Sequence, residues 1–471
     1  MGILKSINKK NRLYKTFIFS LIEQNKIKYN RYKNTLISLI RTSRKEYFYN
    51  LFNKLRGNIK KTWDEINKLL GKFKGYKLPS EMYFGNNTYN NLEEIVEAFN
   101  SHFVNIGKNL ADSIPTQLNM FKSFLNYNNP SSLFLKPVSD EELVKLCSSL
   151  DGTKASGYDD ISPKVIKECI HSIVEPLCFI FNKSLLTGVV PDKLKISKVI
   201  PIFKKNDCKN VENYRPILLL SIFAKLLEKV MHSRLYYFLD KHHILIDEQF
   251  GFRPKYSTSL GVLSLTHYIS QQLDNGKYCI GLFMDLSKAF DTIDHHILLN
   301  KLQSYGIRGL PLMWFESYLL NRKQYVMVDG VASTQSSVTY GIPQGSVLGP
   351  LLFLLYINDI TSCSSLLHFS LFADDTAALV SGTDIDVLIQ TVNFDIQKLN
   401  VWFQSNKLSL NFKKIKYMIF HSRNRRIPNT DDIHIENNIL ERVSTISFLG
   451  VIMDECINWN AHYIKNQIQN C

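Results

Sequence analysis

The stretch Leu371-Phe372-Ala373-Asp374-Asp375-Thr376 constrains the fold of this chain more than any other. Two adjacent aspartates lie between apolar runs with β-forming residues, 366–372 and 377–380. Successive side chains of a strand point to opposite faces, so one buried strand would admit at most one of the two acids inward. A tight hairpin with both carboxylates at its tip satisfies both runs. Aspartate is a common turn residue, and an isolated Asp-Asp pair marks a turn far more often than a metal site.

Two further motifs sharpen the picture. In GLFMDLSKAFD (residues 281–291) a buried strand ends at Asp285, and a helix follows from about Asp294. An acid at the end of a buried strand is costly unless it is paired or metal-bound. In YGIPQGSVLGP (residues 340–350) a glycine-rich turn opens an apolar helix, with Pro350 tolerated in its first turn. The plainer readings are a helix cap for Asp285 or Asp291 and an ordinary loop for the glycines.

The surrounding chain alternates helical patterns with short β-rich runs at 199–203, 278–284, 325–328 and 417–420. Interleaving this irregular predicts an α+β fold rather than a doubly wound parallel sheet. Upstream, Asn91 with Glu94 predicts the start of a helix, and Ser139 with Glu142 a capping box. Residues 113–137, with Pro115, Pro130 and Pro137, read as a linker.

Charge is distributed unevenly. Of 57 Lys+Arg and 42 Asp+Glu, residues 1–77 hold 20 and 4, a net of +16, and the remainder is close to neutral. Leu36, Ile40, Tyr47, Phe48, Leu51, Phe52, Leu55, Trp63, Ile66 and Leu70 give this arm an apolar helical face opposite its lysines and arginines. Either an anionic partner such as nucleic acid or a merely solvated helix explains the charge. Apolar residues at 45% and charged residues at 21% exclude wholesale disorder. No run reaches the ~18 apolar residues of a spanning helix, and no secretory leader is legible, so no membrane role is expected. The eight cysteines show no Cys-x-x-Cys pair and no zinc spacing, and read as reduced core thiols.

Taken in order, strand–Asp285, the Pro343-Gln344-Gly345 turn and strand–Asp374-Asp375 resemble the polymerase palm of reverse transcriptases, closest to the jockey-like group of non-LTR retrotransposons. The resemblance implies a right-hand polymerase fold of fingers, palm and truncated thumb behind a helical basic N-terminal segment. It implies that Asp285, Asp374 and Asp375 are the catalytic, metal-binding acids. Two Mg²⁺ ions ~3.5–4 Å apart, with Mn²⁺ as a substitute, would sit among them, because clustered carboxylates need cations and Mg²⁺ prefers hard oxygen ligands. Phe290 matches the aromatic gate that disfavours a 2′-hydroxyl, and Gln344 the family's glutamine near the nucleotide. KISKVIPIFKK (195–205) and NYRPILLLS (213–221) resemble the fingers, which implies that Lys204 and Arg215 contact the triphosphate. Lys205 and Lys209 read equally well as solvated surface. Trp402 and KLSLNFKKIKYMIF (407–420) resemble the next motif, with Lys414 at the family's lysine. FLGVIMDECINWNAHYIK (448–465) resembles the primer-gripping hairpin and thumb entrance, and KASGYDDISP (154–163) the segment characteristic of the non-LTR group.

Leu194, Leu218, Ile415 and Asp160 depart from the family's usual tryptophan, serine, threonine and glycine. The implied organisation is a basic helical linker at 1–77, a helix and linker at 78–137, and a fingers extension at 138–182. The reverse transcriptase domain follows at 183–453, with the start of a thumb at 454–471. The chain thus reads as a partial reading frame without its endonuclease. The expected function is RNA-directed DNA synthesis, copying an RNA template onto a DNA primer or target 3′ end with deoxynucleoside triphosphates. The alternatives are a catalytically inactive nucleic-acid-binding relic and an RNA-dependent RNA polymerase. Family mechanism implies a nuclear location, while oligomeric state is not readable from the sequence.

Overall fold

A computed structural model of the chain describes residues 2–463 except 21, 57–61, 64, 67, 68, 70–77, 115–119, 126, 287, 413, 426 and 429. The chain divides into two compact units, Met1–Leu78 and Pro79–Cys471.

In the first unit, α1 (Gly2–Ser20) and α2 (Glu23–Lys54) form a helical hairpin, broken at Ile22 by extended backbone with φ −78° and ψ 130°. Tyr29 holds the pair together, 5.2 Å from Tyr14 and 6.3 Å from Phe17 between ring centres. On the expected apolar face Leu36 is buried, and Ile40, Phe48, Leu51, Phe52 and Leu55 are partly sheltered. Tyr47 and Trp63 are exposed instead. Leu70, also expected on that face, lies outside the described residues.

In the second unit the hairpin β1 (Met82–Phe84) and β2 (Asn87–Tyr89) precedes α3 (Leu92–Asp112), capped by Asn91, which accepts from the Glu93 N–H. Ser139 caps α4 (Asp140–Ser148) by accepting from the Glu142 N–H. The Glu142 carboxylate does not complete the capping box. It pairs in a fork with Arg234, both contacts at 2.8 Å, because a bidentate charged pair outcompetes a single backbone donor. The expected linker is docked rather than free: Asn129 and Leu133 donate their N–H groups to the Ser304 and Gly306 carbonyls.

Next comes α5 (Pro163–Thr187), which starts at a Ser162 cap and stops at left-handed Gly188. By length and overall composition this helix is apolar enough to cross a membrane, although Lys167, Glu168 and Glu175 interrupt any continuous apolar run. Nine of its side chains, Ile166, Ile170 and Phe181 among them, are nevertheless buried in the second unit. Then follow β3 (Ile196–Phe203), β4 (Tyr214–Leu220), α6 (Ile222–Lys241), α7 (Thr258–Asp274) and β5 (Tyr278–Asp285). After these stand α8 (His295–Ser304), α9 (Leu310–Leu319), β6 (Arg322–Val328), β7 (Val331–Ala332), β8 (Ser336–Val338) and α10 (Gly349–Ile357). The hairpin β9 (His368–Phe372) and β10 (Asp375–Gly382) leads to α11 (Ile385–Ser405) and β11 (Lys416–Phe420). Five short strands close the described chain: β12 (His434–Ile435), β13 (Asn438–Ile439), β14 (Glu441–Arg442), β15 (Thr445–Phe448) and β16 (Val451–Asp454).

Two five-stranded sheets position the site. One has the order β4-β3-β6-β7, with β8 also on β6; the other runs β14-β11-β5-β10-β9. In the first, Pro201 faces Pro216 across β3 and β4. Neither proline removes a needed ladder bond, since β4 is an edge and β6 pairs β3 only at 196–199. In the second, β5 is buried from Tyr278 to Met284 because helices cover one face and a smaller apolar cluster of Val262, Leu265, Phe283 and Phe448 the other. Trp314 and Trp402 are fully buried, and each such side chain contributes on the order of 1.5–3 kcal/mol to stability. Cys147, Cys178, Cys279 and Cys363 are core thiols as expected. Cys169 is exposed, out of step with Ile166, Ile170 and Val174 on α5, and Cys208 and Cys456 are half-buried.

Candidate active site

Strands β5 and β10 pair antiparallel in a register that sets Asp375 opposite Asp285 and Thr376 opposite Met284. On the other side of β10, Asp375 pairs with Phe372 of β9. Only Ala373 and Asp374 are left to make the turn, and Ala373 takes a positive φ of 56° to close it. The expectation of both acids at the tip is therefore half right: Asp374 sits in the turn, while Asp375 opens the strand beside Asp285.

Their electrostatics follow from that closeness. Burial and the neighbouring Asp285 push the Asp374 carboxyl upward. Asp375 is raised to about 6 by burial, then by Asp374 and Asp285. Cations gather around the acids. Lys204, just beyond β3, is held below the usual lysine range by burial and by Arg215 and Lys414, while Asp285 opposes the shift. Arg215, exposed on β4 opposite Ile202, counters the rise at Asp374. Lys414 donates from Nζ to Asp285 Oδ2. Its loop is tied to the end of β5 by the Asn411 N–H, 3.3 Å from the Asp285 carbonyl, and by a Leu286–Leu410 bridge. The structure thus brings together five sequence-expected positions, Asp285, Asp374, Asp375, Lys204 and Lys414, with Arg215 beside them. Lys205 is exposed, and Lys209 is paired at 2.7 Å with the surface Glu81, as solvated residues would be.

Phe290 and Gln344 lie on two stitched segments. The N–H groups of Gly341 and Ile342 donate to the carbonyls of Ile293 and Phe290. Phe290 stacks on Phe353 at 4.7 Å and meets Phe252 edge-on at 6.3 Å. The Gln344 Nε2 donates 2.7 Å to Asp291 Oδ1 rather than standing free. Burial raises Asp291 to about 6 against the opposing pull of Lys288 and Gln344. Gly341 must lack a Cβ, since one would lie 2.8 Å from the Asp291 carbonyl oxygen.

Glu228 was not singled out by its sequence. Buried on α6, it accepts at 2.5 Å from the Val347 N–H just after the Pro-Gln-Gly turn and at 2.8 Å from the Tyr318 hydroxyl. The only available signal was an acid on an otherwise inward apolar face. Asp160, at a usual glycine, has a positive φ of 53°, which explains why glycine suits the position. Ile415 is buried, so that departure serves packing; Leu218 meets the Gln344 carbonyl through its backbone N–H, and nothing in the structure explains its side chain.

Among the described residues, no three His, Cys, Asp or Glu side chains already surround one point as metal ligands. The donor chemistry fits a hard divalent ion all the same: carboxylates only, Asp374 and Asp375 raised by burial and by neighbouring acids, with an ammonium group resting on Asp285.

Acids on paired strands of one sheet, met by cations from the edge of another, define the class: a polymerase palm beside its fingers. Residues 202–453 match the family model described as reverse transcriptase (RNA-dependent DNA polymerase), more than half of the chain. The chain belongs to that family, whose members use divalent metal ions. It is 30% identical over 375 residues to a probable RNA-directed DNA polymerase from transposon BS of Drosophila melanogaster, covering 76% of this chain and 39% of the relative. To the RNA-directed DNA polymerase from mobile element jockey of the same fly it is 27% identical, covering 71% of this chain and 37% of the relative. To a probable RNA-directed DNA polymerase from transposon X-element it is 26% identical, covering 70% and 36%. The chain spans about two fifths of the length of these curated relatives.

Proposed function

We propose that this chain is an RNA-directed DNA polymerase of a jockey-like non-LTR retrotransposon, extending a DNA 3′ end on an RNA template. The observation that carries the reading is the direct cross-strand pairing of Asp285 with Asp375, with Asp374 next in the turn. When bound, two Mg²⁺ ions supply the activated primer hydroxyl and neutralise the triphosphate and leaving oxygen. Asp285, Asp374 and Asp375 would hold them. Lys414, which donates to Asp285, would be placed to contact the nucleotide. Lys204 and Arg215 bind the phosphates, Phe290 excludes a 2′-hydroxyl, and Gln344 shapes the sugar side of the pocket while tethered to Asp291.

The basic α1–α2 unit is proposed as a clamp on RNA or DNA backbone, and the nucleus as the place of action. The deciding experiment is deoxynucleotide incorporation by the full chain on a primed RNA template with Mg²⁺. Incorporation that Asp374→Asn or Asp285→Asn reduces to background supports the reading. Intact duplex binding without any incorporation overturns it in favour of an inactive nucleic-acid-binding relic.

A further inference from the structure

We propose that Gln249 is the positioning residue of the carboxylate hairpin: its side-chain oxygen holds Ala373 in the left-handed conformation that aims Asp374 at the site. The inference rests on the polymerase reading for its catalytic consequence alone.

Ala373 stands at φ 56°, where a Cβ-bearing residue is strained by about 1–2 kcal/mol and persists only when its surroundings hold it. What holds it is not in the sheet, because β9 is the sheet's edge strand. The support comes from the loop between α6 and α7. There Leu371 donates its N–H to the Glu248 carbonyl at 2.9 Å, and Phe250 donates to the Leu371 carbonyl at 2.8 Å. These bonds lay residues 248–250 parallel along the outer edge of β9, with Gln249 opposite Leu371. The Gln249 side chain, 2% exposed, then reaches past the strand to the turn. Its Oε1 accepts from the Ala373 N–H at 3.0 Å and from the Gly251 N–H at 2.7 Å.

One buried oxygen therefore joins the loop to the residue immediately before Asp374. The fit leaves no slack: a Cβ on Gly251 would fall 2.4 Å from the Ala373 nitrogen. The loop is in turn closed by Arg253, whose Nη1 donates to the Ile246 and Gln249 carbonyls at 2.6 and 3.2 Å. Its guanidinium lies 4.1 Å from the Tyr256 ring centre. Gln249 touches no reacting group, so its effect passes through the placement of Asp374.

The test compares Gln249→Met, similar in shape but without the acceptor, with Gln249→Glu, which keeps an acceptor oxygen. Two properties of the full chain are read: Mn²⁺ affinity by electron paramagnetic resonance, and kcat and KM for deoxynucleotide on a primed RNA template. Gln249→Met is expected to weaken Mn²⁺ binding and lower kcat by roughly 10–100-fold, the range for losing a residue that orients metal ligands, with KM little changed. Gln249→Glu keeps the acceptor but sets a second oxygen where the buried Nε2 now lies without a hydrogen-bond partner, so it is expected to keep more Mn²⁺ affinity and kcat than Gln249→Met without matching the parent chain. If Gln249→Met does not fold, Gln249→Asn, which withdraws the oxygen by one methylene, is read in the same way.

Parental Mn²⁺ affinity and kcat in a folded variant lacking the acceptor overturn the inference. So does equal damage in Gln249→Glu. A parent chain that binds Mn²⁺ more tightly than Gln249→Met yet incorporates nothing sinks the polymerase reading and leaves the brace standing.

Discussion

Asp285 and Asp375 stand directly opposite one another on adjacent antiparallel strands, the closest side-chain relationship a sheet provides. Like charges so placed repel; burial first, then Asp374, then Asp285 raise the Asp375 carboxyl. The arrangement is costly for an empty sheet and useful only when cations enter. Replacing either acid with asparagine is expected to lower incorporation by about three orders of magnitude, ~4 kcal/mol in the barrier. Lys204→Ala is expected to cost far less, about 10-fold, because a partly screened surface cation acts only on the phosphates. Single-turnover rates on one primed template decide, and equal modest losses would undo the assignment of roles.

Phe290 is wedged between Phe353 and Phe252, so its ring cannot easily swing aside. Phe290→Val should open space below the sugar and raise ribonucleotide use relative to deoxynucleotide by roughly 10–200-fold, the range one pocket contact typically controls. Competition between the two triphosphates in one reaction measures this, and an unchanged ratio would remove Phe290 from the gate.

Asp291 carries a pH signature of its own. Its folded value, about 6, lies above the ordinary 3.8, so the native chain binds more protons than the unfolded one between those limits. Its ionisation therefore removes stability as pH rises from about 4 to about 6. Asp291→Asn, which keeps an acceptor for Gln344, is expected to melt higher than the parent at pH 7.5, with the difference shrinking toward pH 4. Melting curves across that range test it; a difference independent of pH would show that Asp291 is not raised.

Glu228 joins α6 to the turn that carries Gln344. Glu228→Ala would leave the Val347 N–H and the Tyr318 hydroxyl without an acceptor. A stability loss of about 1–3 kcal/mol for each buried donor left unsatisfied is expected in denaturant titration. A loss below 1 kcal/mol would mean that solvent already reaches the site.

For the basic arm, deleting residues 1–77 should flatten the salt dependence of duplex binding, since each phosphate contact adds to the log–log slope. Unchanged slopes before and after deletion would leave the arm without a backbone-clamping role.

Much of the site could be read along the chain because it is built from short local patterns. A strand ending at Asp285, the Pro343-Gln344-Gly345 turn and the Asp374-Asp375 hairpin each declare themselves within a dozen residues. The β4 strand was harder to see, since Pro216 argues against a strand until β4 proves to be an edge. In the basic arm, apolar spacing alone did not separate exposed Tyr47 from its sheltered neighbour Phe48.

Local pattern thus carried the α+β class, the uneven charge and the short motifs whose resemblance to a known family singles out the three acids, because each depends on neighbours in sequence. Only the folded chain decided which acid sits in the turn and which on the strand, and that Gln344 is tethered to Asp291. It alone showed that Glu228 accepts from the Val347 N–H beside the Pro-Gln-Gly turn and Gln249 from the Ala373 N–H in the Asp-Asp hairpin, each more than a hundred residues away. Those facts are set by strand register and by hydrogen bonds between distant segments. A buried donor or acceptor must find its partner in space, and no spacing along the chain says where that partner will be.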